Sequence, residues 1–254
     1  MSESCQEIRA LPVRGIGEVR AGDNICALLL DALSQAGLQL ADGDVLVIKH
    51  KIISKAEGRV VDLNTVEPSR HAAEWAARYN LDARVVELAL RESARIVRQE
   101  NGILITQTRH GLVCANSGVD LSNVDGGKSA VLLPEDPDRS AAELCCRLQD
   151  QLQLSLAVII SDSFGRPWRE GLSEVAIGVA GLLPLMDYRG RRDSHGYELH
   201  ASVEAVADEL ACMAGLVCGK LAHTPACIIR GFHFVPGEGR ATQMVRPAPR
   251  DLFR

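Results

Sequence analysis

Three stretches of the 254-residue chain place charged or oxygen-bearing side chains where an apolar pattern breaks off. The first is HKIISKAEGR, residues 50–59, in which His50, Lys51, Lys55 and Arg59 follow a run of strand-forming residues. Phosphate groups are held by cations and N–H donors, and a lysine at a strand end supplies the charge. The same residues would also serve as a solvated edge that deters strand pairing. The second stretch is NSGVDLSNVDGG, residues 116–127, which crowds Asn116, Asp120, Asn123 and Asp125 between glycines. Oxygen ligands on a turn suit Mg²⁺ or Mn²⁺, the more so when phosphates complete the shell. A turn whose Asn and Asp side chains bond their own backbone has the same composition. The third is VIISDSFGRPWREG, residues 158–171, where a buried strand delivers Asp162 and Ser163 at its carboxyl end, followed by Gly165, Arg166 and Arg169. Ligand sites favour such strand ends. A carboxylate there holds a metal, and two arginines clamp phosphate or carboxylate in a bidentate manner. Other polar clusters carry less. DYRGRRDSHGYELH has no zinc spacing and reads as a polar loop. Glu204, Asp208 and Glu209 read as a solvated helix face.

The elements that must position these groups follow from periodicity. EIRALPV reads as a strand, and GDNICALLLDALSQAG as a helix capped by Asp23 or Asn24 and stopped at Gly37. DGDVLVIKHKIIS is a turn, a buried strand and a change of direction. PSRHAAEWAARYN and DARVVELALRESARIVRQ read as two amphipathic helices, and GILITQTRHGLVCANSGVD as a hairpin around RHG. DPDRSAAELCCRLQDQL is a helix with Ser140 and Glu143 at capping-box spacing. SLAVIISDS is a second buried strand ending abruptly in polar residues; EVAIGVAGLLPLMDY favours strand. ASVEAVADELACMAGLVCGKL is the clearest long helix, and PACIIRGFHF a late strand. The basic tail from about residue 240 to 254 reads as docked or loose. No G-x-G-x-x-G follows the first strand and no G-x-x-x-x-G-K-[ST] occurs. The fold class is therefore α+β with a mixed sheet, neither Rossmann nor P-loop.

Composition narrows the function further. A formal net charge of −5 argues against non-specific nucleic-acid binding, which needs a basic face. It leaves small anionic ligands open, since local groups hold those. The eight cysteines include no C-x-x-C pair, so reduced thiols in a cytoplasmic protein are expected. The longest apolar run, LSLAVII, is a strand rather than a membrane span, and the N-terminus lacks a signal-peptide plan.

Taken together, LPVRGIGEVRAGD, DGDVLV…IISKAEGR, NSGVDLSNV, SDSFGRPWREG, VEAVADELA and PACIIRG closely resemble the coenzyme F420:L-glutamate ligase family. The resemblance spans nearly the whole chain. It implies the family's unusual mixed-sheet ligase fold, one catalytic unit over residues 1–254, and an intertwined homodimer. The closing MVRPAPRDLFR resembles the junction of longer actinobacterial members, whose additional nitroreductase-like domain is not expected here. By resemblance, GTP is bound by Ile16, Gly17, Glu18 and Val19, with Lys55, Asn123 and the His50 position. Family members carry a small hydroxyl residue at the place of His50. A first divalent cation falls to Asp120 and Asp162, and a second to Ser163; Mg²⁺ or Mn²⁺ is implied, with K⁺ as an optional addition. Lys55, Arg166 and Arg169 take catalytic roles, stabilising phosphoryl oxygens, although the arginines would equally grip substrate carboxylates. Archaeal relatives place a Glu on the second cation after the long helix, where this chain has Lys220 in GKLAHTP. Either that cation is held differently here, or Lys220 neutralises phosphate in its place. The implied activity is GTP-dependent addition of L-glutamate to F420-0 through an acyl phosphate. The alternatives are a same-fold ligase with another acceptor, or a non-catalytic GTP- or F420-binding protein.

Overall fold

A computed structural model describes residues 7–122 and 124–252. The elements run β1 (Arg9–Val13), α1 (Ile25–Gln35), β2 (Val45–Lys49), α2 (His50–Ala56), β3 (Val60–Asp62), α3 (Arg70–Tyr79), α4 (Ala83–Arg91) and β4 (Ser93–Glu100). They continue with β5 (Ile103–Thr108), β6 (Val113–Ala115), β7 (Ser129–Val131), α5 (Pro137–Leu152), β8 (Ala157–Arg166) and β9 (Arg169–Ala180). The last are β10 (Met186–Asp187), β11 (Val203–Glu204), α6 (Val206–Cys218) and β12 (Ala226–Arg230). The central sheet has the order β1-β12-β2-β8-β9, and within it only β2 and β8 run parallel.

Continuous apolar runs in β2 and β8 mark a sheet covered on both faces. Leu46, Ile48, Val158, Ile160 and Ile228 pack with Leu29 and Leu33 of α1 and Leu144 and Leu148 of α5. Their neighbours in sequence, Val45, Val47, Ala157, Ile159 and Ile229, pack with Leu210, Ala211 and Ala214 of α6. Smaller clusters lie around Trp75, Val86 and Leu104, and around Leu63, Leu88 and Ala130. The α+β reading with a mixed sheet, outside the Rossmann and P-loop patterns, is what the structure has. No helix among the described residues is long and apolar enough to cross a membrane.

Several elements differ from the sequence expectation. The helix expected to run on through SARIVRQ ends at Arg91, and Ser93–Glu100 is a strand paired with β5. The pair is closed by Asn101 and Gly102, both at positive φ (51° and 78°), which is the dipeptide and conformation of a tight hairpin. Helix α5 is capped by Asp136, whose carboxylate accepts from the Arg139 amide at 3.0 Å, with Pro137 in the first turn. Ser140 lies inside that helix, and Glu143 pairs with Arg139 rather than closing a capping box. At 16 residues α5 is also longer than α6, which has 13. Strand β8 does not stop at its polar residues; it continues to Arg166 and turns into β9 as a hairpin. The basic tail is docked at its start, at Ala241 and Thr242. Asp138 accepts from the Ala241 amide (2.7 Å), the Thr242 hydroxyl (3.1 Å) and the Val179 amide (3.0 Å).

Candidate active site

Because β2 and β8 are parallel neighbours, their carboxyl ends open on the same side of the sheet, where Lys49 lies opposite Ser161. A cleft of about 650 Å³ sits there. Its walls are residues 16–18, the start of α2, Asp120, the end of β8, and the segment following α6. The turn from β2 into α2 puts His50, Lys51 and Lys55 on the cleft, so these basic side chains come from a helix rather than from a strand end.

Each carboxylate in the cleft has a basic side chain beside it. Asp162 accepts from the Ser163 amide at 2.7 Å and lies 3.4 Å from His50 Nε2. The His50 ring is 2% exposed; its Nδ1 is 3.1 Å from the Ser54 hydroxyl, and Nε2 has no other polar neighbour within hydrogen-bond distance. Burial pushes the Asp162 carboxyl up, but His50 and the Ser163 amide outweigh it and hold the group below the usual carboxylate range. Asp120 accepts from Lys51 Nζ at 2.7 Å and from the Ser122 amide at 2.7 Å. Burial raises its carboxyl too, and Lys51 with Ser122 brings it below the ordinary value. Lys55 Nζ donates to Glu18 at 2.5 Å. Beside the cleft, in an adjoining groove that shares Ser163 and Lys220 with it, Glu174 of β9 accepts from Lys49 Nζ (2.5 Å), the Ser163 hydroxyl (2.6 Å) and the Ser161 hydroxyl (3.1 Å). These bonds overcome burial and lower its carboxyl as well. Lys220 Nζ donates to the Ser163 hydroxyl at 2.5 Å.

Of the residues singled out in the sequence, Ile16, Gly17, Glu18, His50, Lys51, Lys55, Asp120, Asp162 and Ser163 line this one cleft. Val19 belongs to the core, 4% exposed beside α1. Arg59 turns away and bonds Glu92 and the Leu133 carbonyl. Asn123 lies outside the described residues. Arg166 and Arg169 are not among the groups that line the cleft. The β8–β9 arm carries both at exposed positions, and Arg166 donates to the Glu170 carbonyl at 2.9 Å while lining an adjoining groove. The sequence reading passed over Lys49 and Glu174. Lys49 looked like the last residue of a strand. Glu174 is a lone carboxylate at the head of the apolar run EVAIGVAG, a signal in itself, since carboxylates enter such runs only when paired.

Carboxylates interleaved with basic side chains in a cleft of this size are groups of the kind that hold a small charged ligand. The F420-0:gamma-glutamyl ligase family matches residues 15–231. The coenzyme F420:L-glutamate ligase of Methanothermobacter thermautotrophicus is 45% identical over 250 residues, covering 97% of this chain and 99% of that protein. The enzyme of that name from Methanopyrus kandleri is 44% identical over 252 residues, covering 97% and 98%. That from Methanocaldococcus jannaschii is 43% identical over 216 residues, covering 85% and 86%. The chain belongs to the F420-0:gamma-glutamyl ligase family.

Proposed function

We propose that the chain joins L-glutamate to F420-0 in an amide bond, driven by GTP. A carboxylate is a poor acyl donor because its leaving group would be oxide. In the proposed reaction a carboxylate oxygen of the acceptor attacks the γ-phosphorus of GTP and GDP leaves. The glutamate amine then attacks the acyl carbon of the resulting acyl phosphate, loses a proton, and inorganic phosphate departs. The observation that carries this reading is the meeting of Asp120 and Asp162 with Lys51 and Lys55 in one cleft, in a chain of this family.

The residues fit a divalent cation at Asp120 and Asp162. Both carboxyls are held below their ordinary range, and the charge of Asp120 pushes against that of Asp162, a repulsion that a cation relieves. Among the described residues no set of three or more His, Cys, Asp or Glu side chains converges on a metal position. The protein therefore offers two carboxylates and leaves the remaining positions to phosphate and water, which is the habit of Mg²⁺ or Mn²⁺ rather than of a zinc cage. When bound, such a cation neutralises charge on the transferring phosphoryl group. Lys55, exchanging Glu18 for a phosphate oxygen, stabilises the same charge from α2. The peptide of residues 16–18 borders the nucleotide. Purified protein with F420-0, L-glutamate, GTP and Mn²⁺ is expected to give products heavier by whole glutamyl increments in a mass spectrum. GTP binding without any increment would reject the ligase reading.

A further inference from the structure

The wall around Ser163 differs in chemistry from the wall around Asp120. Adjacent residues of a strand point to opposite faces. Asp162 faces α2, where it meets His50, and Ser163 faces Glu174 and Lys220. A serine hydroxyl has one hydrogen to give and two lone pairs. Here the hydrogen goes to Glu174 at 2.6 Å, and one lone pair receives the Lys220 ammonium at 2.5 Å. Both Glu174 oxygens are also engaged, one by Lys49 and the other by Ser161. The seat is built into the packing: a Cβ at Gly215 of α6 would fall 2.5 Å from Glu174 Cγ, so only glycine lets the carboxylate lie against that helix. The two ammonium groups share one carboxylate, Lys49 directly and Lys220 through the Ser163 hydroxyl.

A second divalent cation does not fit these residues. It would have to bind the Ser163 oxygen at roughly 2.0–2.6 Å, against an ammonium already bonded to that oxygen. The one neighbouring carboxylate, Glu174, is spoken for. An anion fits well, because each ammonium carries three N–H donors and Lys220 stands at the exposed rim. We propose that Lys49 and Lys220, seated on Glu174 and Ser163, form a built-in cationic wall that receives substrate phosphate directly, so that this chain takes one divalent cation, at Asp120 and Asp162, and none at Ser163. The proposal rests on the ligase reading for the identity of the phosphate donor, but not for the anion-binding wall itself.

Calorimetry with inorganic tripolyphosphate in EDTA tests the wall without metal or nucleotide. Wild-type protein is expected to bind it, Lys220→Met to bind about tenfold more weakly, and Lys220→Arg to bind nearly as wild type. Manganese titration followed by electron paramagnetic resonance, with tripolyphosphate present, is expected to give one Mn²⁺ per chain. Lys220→Glu is expected to admit a second. No binding in EDTA, equal binding by Lys220→Met, or two Mn²⁺ per wild-type chain each overturns the proposal. Tripolyphosphate binding together with failure to bind GTP would leave the wall standing and remove the nucleotide reading instead.

Discussion

Asp162 is a carboxylate kept ionised in a buried place, and the residues that keep it so are His50 beneath it and the Ser163 amide beside it. Replacing it with asparagine preserves shape and the amide contact but removes the charge. Asp162→Asn is expected to lower glutamyl transfer by about 10²-fold or more, with an unchanged circular dichroism spectrum. Turnover near wild type in the mass assay would take Asp162 out of the machinery. Lys55 makes a different case. Its side chain is buried up to the ammonium group, which reaches Glu18 on the cleft wall. Lys55→Ala should weaken GTP about tenfold, or ~1.4 kcal/mol, as read by calorimetry, and unchanged affinity would count against a phosphate contact. Asp120, Asp162 and Ser163 were legible in the sequence because each interrupts a strand or turn pattern with a group that chemistry can use; Lys55 was read as a strand-end cation and instead lies in α2. Lys49 and Glu174 were not, because their meeting depends on the register that sets Ser163 opposite Glu174, a pairing between strands that no local pattern prints.

Elements bring these residues together, and the decisive one is the parallel pair β2–β8, whose shared direction puts two strand ends on one cleft. The helix against β9 has to come close for that sheet to be covered. At Gly178 an added Cβ would lie 2.2 Å from the Pro137 carbonyl oxygen, a backbone atom that cannot swing aside. Gly178→Ala should therefore push β9 and the start of α5 apart and cost about 1–3 kcal/mol in urea unfolding. Gly165→Ala, which meets nothing within 4 Å on the β8–β9 arm, serves as the control and should be near neutral. Equal stability of the two variants would show that β9 does not need that approach. At this scale most of the fold could be read ahead. Strands β2, β8 and β12 are apolar runs, and α1, α3 and α5 have clear apolar faces. Two elements could not. SARIVRQ has helix-compatible spacing, and only pairing with β5 across Asn101-Gly102 makes it a strand. The strand was expected to end at Asp162 and Ser163, whereas its pairing with β9 runs on to Arg166 and holds Arg166 and Arg169 at exposed positions.

For the molecule as a whole, the net charge of −5 hides a set of carboxyl groups whose ionised forms the fold prefers. Asp120 and Asp162 in the cleft, Glu174 beside it, and Asp82 and Glu87 at α4 all have carboxyls lowered from their ordinary values. A carboxyl depressed by folding adds stability that is fully present above its unfolded value, about 4 for Asp and Glu. That stability is lost as pH falls through the folded value. Asp208 runs the other way: burial raises its carboxyl against the help of the Ala176 amide, so its contribution is lost as pH rises through its folded value. With Glu7 and Asp187, whose carboxyls are lowered by Arg9 and Arg189, seven groups against one set the sign. The urea midpoint should be nearly level from neutral pH to about 5 and fall steeply below about 4. Lys49→Met isolates one member of the set, because it leaves Glu174, 10% exposed, without its ammonium partner. That variant should lose about 3 kcal/mol at neutral pH, show a shallower acid slope, and approach wild type as Glu174 becomes protonated. A constant difference across the whole range would mean that Lys49 stabilises through packing and not through the carboxylate it holds.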